Sequence, residues 1–216
     1  MGAYILSCAL VAQPPPPFSP PKTQRVEVPS LPGPNVVAGG EVVVELTIDR
    51  DGAPRRPVVL RSTPPYTQMV LDAVMEWQFA PARALDPQGA QVPVEGQVLV
   101  VAVYRPPSLL NGPTLGEPPV QLSPASSDVA SPSAIVAPLY PVKSLGQGVM
   151  LFELLIDEQG RVAESATLAT TAGFEEVSRD ALRQWTFEPA LYRGRPAAAS
   201  TYVLFGFMPP LGPFRR

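Results

Sequence analysis

The chain has no histidine and a single cysteine, Cys8, and charged residues make up only 16% of its 216 residues. Without histidine it lacks the commonest general base, the commonest metal ligand and the base of a familiar serine triad. One cysteine cannot form an internal disulfide. The net charge of −3 disfavours nucleic acid, whose partners usually present a basic face. We therefore expect no enzymatic activity, no cofactor and no small-molecule substrate.

Tryptophan is also scarce, and its two copies stand in the same short phrase, WQFAPA from Trp77 and WTFEPA from Trp185. The second phrase follows the first by 185 − 77 = 108 positions. Sliding the sequence by this offset aligns 40–82 with 148–190 without a gap, and 14 of the 43 pairs are identical. A constant offset at this density predicts a tandem repeat.

Each copy predicts the same order of elements. Alternating apolar residues in GEVVVELTID indicate a half-buried strand, and DRDG or DEQG indicates a tight turn into a second strand. Apolar residues at helical spacing then lead to the tryptophan, and proline ends the helix. With one more strand, the sequence predicts an α+β fold of two β-β-α-β domains. Each would be a three-stranded antiparallel sheet covered by a helix on one face.

The 30 prolines cluster between the predicted elements and set the expected boundaries. We expect an apolar leader and Pro-rich segment at 1–35, a first copy at 36–107, a Pro/Ser-rich linker at 108–137 and a second copy at 138–210. Polyproline-like chain is stiff and solvated. The sequence therefore predicts two separate folding units.

The N-terminal stretch MGAYILSCALVAQ contains about ten apolar residues, whereas a membrane-spanning helix needs roughly 20. It resembles the apolar region of a signal peptide ending near Ala12, although no Lys or Arg precedes it. A cleaved export signal is the favoured interpretation. There are two alternatives. One is a lipid or retained N-terminal anchor within the first ~13 residues, judged by their apolar length and flanking residues. The other is an ordinary unprocessed terminus.

The order of these motifs resembles the C-terminal domain of the TonB family. The pattern is Gly-x-Val-x-Val-x-acid-apolar-x-Ile-Asp-x-x-Gly, then a helix with Asp-Ala, then Trp-x-Phe-x-Pro-Ala. Tyr140-Pro141, upstream in the second copy, also matches that family. The resemblance covers both copies and implies a periplasmic or envelope-associated protein whose protein partner is a TonB-dependent outer-membrane receptor. The positions that carry it are Asp49, Gly52, Trp77, Phe79 and Pro81, and Asp157, Gly160, Trp185, Phe187 and Pro189.

Three motifs allow both a structural and a functional interpretation. A buried aromatic supplies much of a small domain's apolar burial, so we expect Trp77 and Trp185 to close the two cores and not to bind a ligand. The Asp-rich turns could be half of a calcium loop, but they lack its longer run of oxygen ligands, and a hairpin turn is favoured. For Arg55-Arg56 and Arg61 we favour a solvated face over a receptor or lipid contact.

The resemblance also implies where a partner binds, because in that family the receptor peptide adds as a strand beside the last strand of the domain. Such addition needs a strand edge with unpaired backbone groups. We expect this edge in the second copy, at Thr201, Tyr202, Val203, Leu204, Phe205 and Phe207. The alternative is that the first copy covers this edge. The two copies would then form one compact body. A second function also stays open, that of a structural or assembly protein of the envelope whose two copies pair with each other or with another chain, without a receptor.

Overall fold

The computed structural model describes residues 17–33, 36, 38–106, 126–141 and 146–208. The predicted signal or anchor before residue 17 and most of the predicted linker, at 107–125, lie outside the described residues. Within the described ranges, neither helix has the length and apolar character that crossing a bilayer requires.

The described chain is an α+β fold built mostly of strands. Two helices, α1 (Tyr66–Val74) and α2 (Glu175–Leu182), occupy equivalent places in the two copies. The strands are β1 (Phe18–Ser19), β2 (Lys22–Arg25), β3 (Gly40–Ile48), β4 (Pro54–Arg61), β5 (Gln78–Ala80), β6 (Ala82–Leu85), β7 (Gln91–Val94), β8 (Gly96–Arg105), β9 (Ser131–Ala134), β10 (Gly148–Ile156), β11 (Val162–Ala169), β12 (Thr186–Glu188), β13 (Ala190–Tyr192), β14 (Arg195–Ala197) and β15 (Ala199–Phe207).

The long strands of both copies form one six-stranded sheet, in the order β11-β10-β15-β8-β3-β4. Its two central strands, β8 and β15, run parallel, with Leu99 opposite Thr201 and Arg105 opposite Phe207. All other pairs in this sheet are antiparallel. The prediction of two separate three-stranded sheets is therefore wrong, because the last strand of each copy pairs with that of the other.

The two helices cover opposite faces of this sheet. Tyr66 and Val70 of α1 pack on one face, which includes Leu151 and Leu204 from the second copy. Phe174 and Ala181, at the start and within α2, pack on the other face, which includes Val43, Leu99 and Val101 from the first copy. A half-turn about an axis parallel to the strands keeps strand direction and exchanges the faces of a sheet. Parallel central strands with helices on opposite faces are the arrangement this symmetry produces.

The apolar character of both strand faces explains the pairing. Every residue of β15 is buried, and so are most residues of β8. A lone three-stranded sheet with one helix would leave one of these faces in water, at a cost of about 25 cal/mol per Å² of apolar surface. Each copy therefore covers the face that the other copy's helix leaves open.

Two short segments before the copies also belong to the fold. The first arm (residues 17–33) places β2 against β5, and the second arm (residues 126–136) places β9 against β12. Lys22 lies opposite Ala80 and Ser131 opposite Glu188, so the arms repeat at an offset of 131 − 22 = 109. The predicted boundaries are corrected accordingly, because parts of 1–35 and of 108–137 pair with the copies.

Candidate interaction surfaces

The repeated Asp-x-x-Gly motif makes a hairpin turn that packs on the repeated Trp-x-Phe motif. Oδ1 of Asp49 accepts hydrogen bonds from the backbone N–H groups of Asp51, at 3.0 Å, and Ala53, at 2.9 Å. The bond from Ala53 is the main reason that the pKa of Asp49 lies below its usual value. Gly52 has φ +87°, and a Cβ there would lie 1.8 Å from the carbonyl oxygen of Phe79. The turn therefore requires glycine at position 52. Oδ1 of Asp49 is already used by hydrogen bonds within the turn.

The second copy repeats this geometry. Oδ1 of Asp157 accepts hydrogen bonds from the backbone N–H groups of Gln159 and Arg161, both at 2.9 Å, and that from Arg161 is the largest cause of its lowered pKa. Gly160 has φ +77°, and a Cβ there would lie 2.3 Å from the carbonyl oxygen of Phe187. Across the described ranges, no three His, Cys, Asp or Glu residues lie together in a way that could hold a metal ion.

The two tryptophans are buried, with 1% and 5% of their surfaces exposed, and each fixes one arm. The indole Nε1 of Trp77 donates to the carbonyl of Glu27 at 2.7 Å, and that of Trp185 donates to the carbonyl of Val136 at 2.9 Å. These acceptors are again 136 − 27 = 109 positions apart. Pro81 and Pro189 follow at the ends of β5 and β12, where the chain leaves each motif. The indoles therefore belong to the two cores, and each N–H is used by an arm.

The residues predicted to bind a partner lie in the middle of the sheet. β15 pairs with β10 on one side and with β8 on the other, so the prediction of a free edge there is wrong. The alternative, in which the first copy covers this edge, agrees with the pairing. The side chains are buried as well: Thr201, Tyr202, Val203, Leu204, Phe205 and Phe207 are each no more than 1% exposed.

A buried polar cluster links the second copy to the first arm. Oε1 of Glu153, on β10, accepts hydrogen bonds from the N–H of Thr23 at 3.0 Å, from its hydroxyl at 2.9 Å and from the hydroxyl of Tyr202 at 2.7 Å. Burial, then the negative charge of Glu153, raises the pKa of Tyr202. Glu45, the equivalent of Glu153 in the first copy, accepts from the N–H of Ser126 in the second arm at 2.9 Å. Each copy therefore holds the arm of the other.

The outer strands β4 and β11 are the edges that remain in the six-stranded sheet. They differ in sequence, because β4 reads PRRPVVLR and β11 reads VAESATLA. Proline has no N–H to donate and protects an edge against strand addition, so β11 is the more open of the two. The basic cluster predicted on β4 is a surface face in which Arg55, Arg56 and Arg61 pair with Asp49, Glu95 and Glu41.

No protein-family model, no curated protein and no solved structure matches this chain. The resemblance to TonB therefore stays a prediction that depends on the motif residues. The sequence analysis did not predict the Glu153 cluster or the β11 edge. The identity of Glu45 and Glu153 in the repeat was a signal for the cluster. The absence of proline from β11 was a signal for the edge.

Proposed function

We propose that this protein is a non-catalytic, TonB-like interaction module of the periplasm in which two β-β-α-β copies pair to make one body. The proposal rests on the repeated motif, whose Asp-x-x-Gly turn and Trp-x-Phe segment form one packed unit in each copy. The absence of histidine from the sequence is consistent with a binding role. The partner that the resemblance implies is a TonB-dependent outer-membrane receptor.

One observation carries the proposed mode of binding, namely the parallel pairing of β8 with β15. This pairing uses the strand edge at which a partner peptide would add in a single domain. Strand addition then needs another edge, and β11 offers eight residues without proline whose first six are exposed. We propose that the partner contacts the outer edge of the second copy.

The same pairing also favours a second function, that of a structural or assembly protein of the envelope. In this alternative the copies satisfy each other, and the chain acts as a rigid spacer or scaffold that contacts other envelope proteins without a receptor. The arms support it, because Glu153 and Glu45 hold them across the copies. The two functions differ in the class of protein that contacts β11.

Site-specific photocrosslinking in a Gram-negative host separates these functions. A photoreactive residue at Thr167 on β11 is compared with one at Val58 on β4, which is 51% exposed. A TonB-dependent receptor labelled from Thr167 and not from Val58 supports the first function. Labelling of another envelope protein supports the second function, and a chain that stays in the cytoplasm overturns both.

A further inference from the structure

A cavity of about 350 Å³ opens between α2 and the strands β10 and β11. Its inner wall is apolar and includes Phe152, Leu154 and Trp185, which are each at most 5% exposed. Its rim carries two arginines of the α2 region, Arg179 and Arg183, and Arg161 from the turn before β11, and none of its lining residues is acidic. An apolar wall beside several cations suits a ligand that carries both an apolar group and negative charge.

The three arginines are available to such a ligand. Nη2 of Arg179 donates to the hydroxyl of Thr167 on β11 at 2.8 Å, and its guanidinium carbon lies 5.8 Å from the ring centroid of Phe152. No carboxylate of the described chain forms a salt bridge with it. Arg161 and Arg183 pair with Asp157 and Asp180, but both guanidinium groups are largely exposed, and exposed pairs contribute little.

The first copy shows that the fold does not require these charges. Subtracting 108 from the arginine positions gives Ala53, Leu71 and Met75. The positions equivalent to the cavity wall are apolar in the first copy as well. They are Val44, Leu46 and Trp77, where the second copy has Phe152, Leu154 and Trp185. The second copy therefore carries three cations at positions where the first copy, with the same order of elements, has none.

The strand edge beside the cavity differs in the same direction. Val162 and Ser165 of β11 line the cavity, and the equivalent positions of β4 are Pro54 and Pro57. β11 thus keeps backbone donors at two positions where β4 has none. The proline-free edge strand and the three arginines at the cavity occur together in the second copy, and both are missing from the first.

We propose that β11 and this cavity bind an extended acidic peptide, which adds to β11 as a strand. Alternate side chains of an added strand project to one face of the sheet. On the α2 face, an apolar side chain would enter the cavity, and carboxylates would reach Arg179 and Arg183. Backbone pairing supplies affinity, and the arginines select acidic sequences. This inference rests on the proposed interaction function and gives its partner a chemistry.

Binding of a fluorescent peptide of repeating Glu-Thr-Val-Thr, whose alternate positions present Glu and Val in turn on one face, to the full chain tests the proposal. The variant R161A/R179L/R183M gives the second copy the residues that the first copy already carries. The variant R55A/R56A/R61A removes the same number of charges from β4 and is the matched control. We expect the first variant to weaken binding by roughly tenfold or more, because it removes charge-assisted contacts, and the control to bind like the original chain.

Three results would overturn the proposal. Equal weakening by both triple variants would show that only net charge matters. Unchanged binding of both peptides N-methylated on alternate residues, one in each of the two possible registers, would exclude strand addition, because one of the two lacks the backbone donors that would face β11. Displacement of the peptide by laurate, with laurate binding more tightly, would identify a lipid site. None of these results bears on whether an envelope protein crosslinks to β11, so the proposed function stands or fails separately.

Discussion

Glu153 and Thr23 are 130 positions apart in sequence, and one oxygen of the glutamate accepts both the backbone N–H and the hydroxyl of the threonine. The same oxygen accepts the hydroxyl of Tyr202. Thr23 belongs to the first arm, which pairs with the first copy, whereas Glu153 and Tyr202 belong to the second. The contact therefore joins the two copies through a segment that the sequence places outside both.

Replacement of Glu153 by alanine should lower the free energy of unfolding by about 2–3 kcal/mol, because it leaves buried donors without their charged acceptor. Glu164→Ala is the control, since Glu164 is exposed on β11 and such changes usually stay within about 0.5 kcal/mol. Urea denaturation followed by circular dichroism measures both. A loss below about 0.5 kcal/mol for Glu153→Ala would mean that water replaces the carboxylate.

The raised pKa of Tyr202 predicts how stability falls in alkaline solution. Burial and the charge of Glu153 hold this pKa above its ordinary value of 10.0, and burial also raises the pKa of Tyr66 and Tyr104. A pKa that folding raises means that the folded protein favours the neutral phenol. The contribution of this phenol to the free energy of unfolding is therefore complete below about pH 10, and it is lost as the pH rises toward the pKa of the folded state. Tyr202→Phe should flatten, without abolishing, the decline of unfolding free energy between about pH 9 and pH 11. If the unfolding free energy of Tyr202→Phe fell with pH as steeply as that of the original chain, Tyr202 would not be a source of this decline.

Local patterns predicted the three long strands and the helix of each copy, but neither the short strands between helix and last strand nor the assembly of the copies. Alternation and the Trp-x-Phe-x-Pro phrase depend on neighbours in sequence, and they indicate the strands, the helices and the turn at Gly52. Apolar residues on both faces of β15 indicate that both faces are buried, but they do not say which strand lies beside it. The pairing with β8 depends on residues about 100 positions away, where periodicity carries no information.

Neither the arms nor the arginine cavity was predicted from the sequence, and the reasons differ. KTQR in β2 and SPSA in β9 have no residue in common. The indoles of Trp77 and Trp185 bond to backbone carbonyl groups of the arms, and every residue type carries such a group. The arginines were visible in the alignment, but a repeat is recognised by identities. Arg179 is aligned with Leu71 in the repeat, so this position is a difference between the copies. Its proposed role in binding is evident only when the fold places the cavity wall beside it.

A buried hydroxyl in α2 predicts a stabilising substitution. Ser178 is fully buried, and its hydroxyl has no hydrogen-bond partner, whereas the equivalent position of the first copy is Val70. Ser178→Val or Ser178→Ala should raise the free energy of unfolding by about 1 kcal/mol, because an unsatisfied buried polar group costs about 1–3 kcal/mol. The exposed Ser133→Ala serves as control. A loss of stability in both Ser178 variants would show that the hydroxyl is satisfied in solution.

The final prediction concerns cooperativity between the copies. Trp185→Ala removes a core aromatic that contacts Phe187 and Phe205, and such truncations cost about 3–5 kcal/mol. This variant also leaves Trp77 as the one remaining tryptophan, so the fluorescence reports the core beneath α1, in which Trp77 also contacts Tyr202 of the second copy. Because β8 and β15 are neighbours in one sheet, damage in the second copy should destabilise the first.

Chemical denaturation of Trp185→Ala should therefore show the Trp77 fluorescence transition moving to lower denaturant together with the circular dichroism transition. Trp77→Ala is the matched variant, in which Trp185 reports the second copy, and it should show the same coupling. If the Trp77 signal in Trp185→Ala instead kept the midpoint of the original chain, the copies would unfold independently. The parallel β8–β15 pairing would then contribute too little to join them, since coincident transitions from different probes are the mark of a single cooperative unit.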